Sequence, residues 1–267
     1  MLFIFMLLHE NVNSEKTESK LIKHLLNGYD MNSRPVENVG EAVNVTIGLA
    51  AYQLIEINEK LQYIKLSAWV YQQWKDSSLI WNPQDYNNIE DVNLSPEYFW
   101  KPDIVLINNL NEDVASYGGS LDTQRTRMII HHDGKIKWNG PIILKVRCQI
   151  DVKHFPFDTQ TCSFLFGSWT YRLDKLNIFG ENIRVDNYTR NQEWNLLDYN
   201  MVRKESNYSQ GRYPDVMFQF RFQRRTLFYV VNLILPIILI TLLTIIGNLN
   251  AYFKFIIGFL IQAIIYF

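Results

Sequence analysis

The chain has 267 residues, 48% apolar and 20% charged, which is the balance of a folded protein with material for a sizeable core. With 26 basic against 27 acidic residues and no long run of either sign, its charge offers nothing specific to nucleic acid or to an anionic membrane surface, so partners must be argued from sites. Seven tryptophans, fifteen tyrosines and sixteen phenylalanines favour β structure and, secondarily, recognition surfaces.

Residues 1–13 carry a short apolar run, Leu2 to Leu8, that lacks a basic start and a small-residue cleavage site and reads as a trimmed signal peptide. From Ser14 the pattern turns helical, with Leu21, Ile22, Leu25 and Leu26 on one stripe and Gly28 as a stop. Beyond Val39 the period becomes two. Val43, Val45, Ile47 and Leu49 define the inner face of one strand, and Ile64, Leu66, Ala68, Val70 and Trp74 that of a second, running to about Lys75. Trp69 falls on the polar face of that second strand, where an indole either shields a sheet edge or contacts a ligand.

Prolines in Trp81-Asn82-Pro83 and Trp100-Lys101-Pro102 fix turns while the neighbouring rings fill a core. Asp133-Gly134 marks a hairpin, and His131 and His132 before it read as solvated, because no further metal ligands can be placed beside them. Cys148 and Cys162 are the only cysteines and suggest one bridge, worth roughly 3 kcal/mol through the loop it closes and requiring an oxidising compartment. Phe218, Phe220 and Phe222 alternate with polar residues in a last strand. After Arg224-Arg225 comes a stretch free of charge from Thr226 to Gly247, long enough to cross roughly 30 Å of hydrocarbon. No catalytic, metal or phosphate-binding constellation emerges, and no cofactor is expected.

Two cysteines separated by thirteen residues and enclosing Phe155-Pro156-Phe157-Asp158 resemble the signature of the Cys-loop, or pentameric, ligand-gated ion channels, and Phe157 resembles the nicotinic, cation-selective branch. The resemblance extends over about residues 14–248. It implies a mainly β fold, the ligand-binding β-sandwich with an N-terminal helix over residues 14–225, followed by a first transmembrane helix at 226–248 whose Asn232 and Pro236 match. Residues 249–267, an apolar tail, depart from it, so the chain reads as a subunit cut after its first span.

By the same resemblance, Trp69 belongs to the complementary side of an agonist site, with Ile129, Lys137 and Asn139 from neighbouring strands. Trp169, in Gly167-Ser168-Trp169-Thr170-Tyr171, is the strongest candidate on the principal side, offering its π face to a quaternary ammonium group. Tyr208 and Tyr213 would join it. Ile107 and Glu205 stand where box tyrosines are usual, and Asn207 and Tyr208 where acetylcholine-binding subunits carry two cysteines, which implies a non-alpha subunit. Glu59 and Arg224 match a coupling ion pair, taken as exposed, and the Phe155-Pro156-Phe157-Asp158 loop a second contact with the membrane domain.

The implied protein is a plasma-membrane, postsynaptic-type subunit with an extracellular ligand-binding domain. Its partners would be sister subunits in a hetero- or homo-pentamer, and its ligand acetylcholine or a similar amine. Two other readings stand beside it, a pore-less binding or dominant-negative regulatory protein and a β-sandwich adhesion module. Asn44, Asn187 and Asn207 head glycosylation sequons, and the one at Asn93 is weakened by Pro96.

Overall fold

The computed structural model describes residues 16–110, 121, 126–246 and 261–262. The expected signal remnant, and the tail apart from residues 261–262, lie outside them. Helix α1 (residues 16–26) sets Leu21 and Leu25 into the core, with Ile22 and Leu26 packed against it, as the stripe predicts. Ten strands follow: β1 (Val43–Asn58), β2 (Tyr63–Ile80), β3 (Asp91–Leu94), β4 (Ile104–Leu106), β5 (Met128–His131), β6 (Asp133–Arg147), β7 (Thr159–Ser168), β8 (Leu176–Gly180), β9 (Trp194–Tyr208) and β10 (Gly211–Arg224). They form a sandwich of a six-stranded sheet, in the order β3-β5-β6-β2-β1-β8, and a four-stranded sheet, in the order β4-β7-β10-β9.

Side-chain alternation decides which face of each strand turns inward. In β1 and β2 every residue assigned above to an inner face is buried, while Trp69 on the other face is exposed. Strand β2 continues five residues past the expected end at Lys75, with a register irregularity before Ile80. From the four-stranded sheet, Phe218, Phe220 and Phe222 of β10 are buried, and Phe164 and Phe166 of β7 meet them edge-on at ring distances of 5.7 Å. The β5–β6 turn is closed by Gly134, whose φ of 81° is the left-handed conformation that glycine tolerates best. Beside it His131 Nδ1 lies 3.0 Å from Asp133 Oδ1.

Cys148, just beyond the end of β6, is bonded to Cys162 in β7, so the bridge joins the two sheets at one end of the sandwich. There β10 leads within two residues into α2, a continuous helical stretch made of Leu227–Tyr229, Val230–Ile234 with π-type bonding, and Leu235–Ile246. Its segment Leu227–Ile245 is long and apolar enough to cross a membrane.

A buried carboxylate anchors the opposite end. Asp76 of β2 is fully buried, accepting from Tyr29 Oη at 2.6 Å and from Ser78 N at 2.8 Å, while Trp100 N donates to Tyr29 Oη at 3.2 Å. Burial raises its pKa, opposed by the two hydrogen bonds. An acid with a raised folded-state pKa favours folding most when protonated, so its contribution falls as pH rises from the ordinary carboxylate range through the raised value. Asp76→Asn removes that slope. Melting temperatures should therefore favour the wild type most in acid, with the difference shrinking towards neutral pH; a difference that does not change with pH would contradict this.

Candidate functional site

The loop after β7 turns Trp169 outward. Asp103, just before β4, holds it: Ser168 Oγ donates to Asp103 Oδ1 at 2.5 Å, Thr170 N donates to Oδ2 at 2.8 Å, and Thr170 Oγ1 donates to the same carboxylate. Tyr171 N donates to Ser168 Oγ at 2.9 Å. With its backbone clamped on both sides, Trp169 stands 73% exposed on the wall of a cavity of about 460 Å³ that also receives Ile107, Tyr208, Tyr213 and Asp215. Tyr208 and Tyr213, diagonal to each other across the β9–β10 hairpin, meet edge-on at 5.6 Å. Three aromatic rings thus converge, and Ile107 supplies an apolar wall beside them.

Asp215 is buried behind them and accepts from Ser206 Oγ. Burial raises its pKa, against that hydrogen bond. Glu205 does not enter the cavity; it pairs with Arg203 at 3.1 Å and Arg212 at 3.5 Å along the hairpin.

Trp69 lies elsewhere, on the outer face of the six-stranded sheet, 40% exposed. It lines a smaller cavity of about 190 Å³ with Tyr52, Tyr71, Arg184, Asp186 and Asn187. Tyr52 and Trp69 rings are 6.0 Å apart, and the Arg184 guanidinium sits 4.8 Å from the Tyr71 ring. The two cavities have no lining residue in common.

Asn139, Lys137 and Ile129 share the outer face but not the Trp69 cavity. Asn139 is opposite Tyr71, and Lys137 is opposite Gln73 and Ile129, while Trp69 itself faces Pro141. At about 3.3 Å per residue that puts Asn139 roughly 7 Å and Lys137 roughly 13 Å along the ladder. The sequence reading missed Tyr52, Arg184 and Asp186. Tyr52 could have been found by parity, since it is two residues beyond Ala50, which pairs with Trp69.

At the end near α2, the expected exposed ion pair is a buried knot. The Arg224 side chain is 2% exposed; its Nε donates to Asp158 Oδ1 at 2.8 Å, and its Nη2 donates to Glu59 Oε1 at 2.7 Å and to Asp158 Oδ2 at 3.1 Å. Trp194 lies 4.2 Å from the guanidinium and Phe155 5.0 Å. Asp158 therefore points inward and not to the loop tip, where Phe157 is exposed, while Phe155 packs edge-on against Tyr229 of α2 at 5.0 Å. Burial would raise the Asp158 pKa, but hydrogen bonds from Arg224 and Gln160 outweigh it and hold the carboxyl below its usual range. One arginine thus ties the β1–β2 turn, the disulfide loop and β10 together at the root of α2.

Asn44, Asn187 and Asn207 are all exposed. Among the described residues no group of three His, Cys, Asp or Glu side chains could hold a metal ion.

The chain matches the profile of the neurotransmitter-gated ion-channel ligand binding domain over residues 18–226. It belongs to that family. This is a receptor family and not an enzyme family, and the sandwich with its disulfide loop is that domain in this chain. Among curated relatives, the human neuronal acetylcholine receptor subunit alpha-4 is 40% identical over 234 residues, covering 85% of this chain and 36% of that subunit. The Gallus gallus subunit alpha-2 is 40% identical over 234 residues, with 85% and 43% covered. The acetylcholine receptor subunit alpha-type acr-15 of Caenorhabditis elegans is 35% identical over 245 residues, with 91% and 50% covered. The chain thus spans between about a third and half of the length of these receptor subunits.

Proposed function

We propose that this chain is a non-alpha subunit of an acetylcholine-type, cation-conducting receptor and supplies half of an agonist site shared with a neighbouring subunit. The observation that carries this reading is the separation of two aromatic walls into cavities with no residue in common, so that a ligand enclosed by both kinds of wall needs a second chain. Trp69 supplies the complementary wall. Trp169, Tyr208 and Tyr213 form a reduced principal wall, lacking aromatic rings at Ile107 and Glu205. The non-alpha assignment rests on those two positions and on Asn207 and Tyr208, and cation conduction on the resemblance carried by Phe157.

Partners are sister subunits in a pentamer at the plasma membrane of a postsynaptic-type contact, with α2 as the first span. A cationic head group is held by the π faces, an attraction of about 1 kcal/mol at exposed rings and about 2 kcal/mol where water is excluded. Signal passes from β10 to α2 through the Arg224 knot.

A receptor assembled from this chain and nicotinic sister subunits tests the principal wall. Because Trp169 is largely exposed and its box incomplete, Trp169→Ala should raise the half-maximal acetylcholine concentration only about fivefold, the equivalent of about 1 kcal/mol. An unchanged response would remove the principal wall from the account.

A further inference from the structure

The Trp69 cavity carries a modification sequence on its rim. Asn187-Tyr188-Thr189 satisfies the acceptor pattern for N-linked glycosylation, and Asn187 is exposed and lines the same cavity as Tyr52, Trp69 and Tyr71. The segment that bears it is fastened to β1 by main-chain bonds before the sequon and at its last residue. Arg184 N donates to Leu49 O and Ala51 N to Arg184 O, each at 2.9 Å; Thr189 N donates to Tyr52 O at 2.7 Å. Asn191 Nδ2 adds a bond to Leu54 O at 3.0 Å. The same strand positions Trp69, which is opposite Ala50 in the ladder. The place of Asn187 relative to the indole is therefore set by sheet hydrogen bonding. The Cys148–Cys162 bond puts this domain on the oxidising side of the secretory membrane, where such sequons are read.

We infer that Asn187 carries an N-linked glycan that stands over the mouth of the Trp69 cavity and filters by size what reaches the indole. The inference rests on the reading of Trp69 as a complementary wall. A glycan is bulky and hydrated, and the cavity under it, at about 190 Å³, is small enough for one oligosaccharide rooted on its rim to cover. A small amine passes beneath the sugars, whereas a ligand of protein size does not.

The labelling test uses the full chain expressed without sister subunits, which would themselves cover Trp69, and labelled on intact cells. Both native cysteines are joined to each other, so Trp69→Cys adds a single reactive thiol to the described surface. Two probes are compared, a small cationic methanethiosulfonate and a maleimide on a polyethylene glycol chain of several kilodaltons. With the sequon intact, the small reagent reacts and the large one does not; with Thr189→Ala, which abolishes the sequon but leaves Asn187, coupling of the large reagent rises at least about tenfold. Thr189→Ser, which keeps the sequon, stays blocked. Should Thr189→Ala fail to reach the surface, enzymatic removal of glycans from the mature protein gives the same comparison, and peptide mapping then shows Asn187 converted to aspartate.

An unmodified Asn187, or equal coupling of the large reagent with and without glycan, overturns the inference. If the shield is found but Trp69→Ala leaves acetylcholine responses unchanged, the shared-site reading fails while the shield stands. If Trp69 proves unshielded and its removal does change those responses, the shield fails while the shared site stands.

Discussion

Asp158→Ala should abolish or severely reduce the folded, surface-delivered form of this chain, because it strips the buried Arg224 guanidinium of the carboxylate it meets at two points, 2.8 and 3.1 Å. Removing one partner of a buried pair leaves an uncompensated charge and costs about 3–5 kcal/mol, a large share of the stability of an ordinary domain. Glu59 contacts the same guanidinium but is 39% exposed, so water replaces it, and Glu59→Gln should cost no more than about 1 kcal/mol. The contrast is the diagnostic part: two carboxylates on one arginine, with unequal effects set by burial.

Surface expression and the urea midpoint of the detergent-solubilised chain would measure both. The pH dependence follows from the lowered Asp158 pKa: the stability it contributes is present above the ordinary carboxylate range and lost only as pH falls through the depressed value. Equal losses for the two substitutions would mean that Arg224 is satisfied elsewhere in solution.

Much of this fold was legible in the residues themselves. The parity of Val43, Val45, Ile47 and Leu49, and of Phe218, Phe220 and Phe222, records directly which faces are buried, and two lone cysteines in a short interval left little choice of partner. At the candidate site, Trp69 was legible from its place on the polar face of its strand, whereas Trp169 stood out only through the family resemblance. Arg184 and Asp186 join Trp69 because main-chain bonds lay residues 181–189 along β1, and such bonds leave no side-chain pattern to read.

Burial of Arg224 was hidden for a related reason. An arginine beside another arginine at the edge of an apolar stretch looks solvated, and only the convergence of Trp194 from β9 with Phe155 and Asp158 from the disulfide loop encloses it. The clamp of Asp103 on the Trp169 loop likewise joins residues 65 or more apart in sequence.

Trp69→Ala is the second large effect expected. In an assembled receptor the opposing subunit would cover the 40% of this indole that is exposed in the single chain, and a cation held against a desolvated indole gains about 2 kcal/mol, which corresponds to roughly 30-fold in half-maximal concentration. Trp69→Phe keeps a π face and should recover part of that loss. The most direct test of a site shared between chains is therefore the acetylcholine concentration–response curve of receptors in which this chain, and no other subunit, carries Trp69→Ala, with surface assembly verified. A rightward shift of roughly 30-fold is the predicted result. A curve superimposable on wild type would contradict the account, because it would leave the Trp69 face without a part in agonist binding.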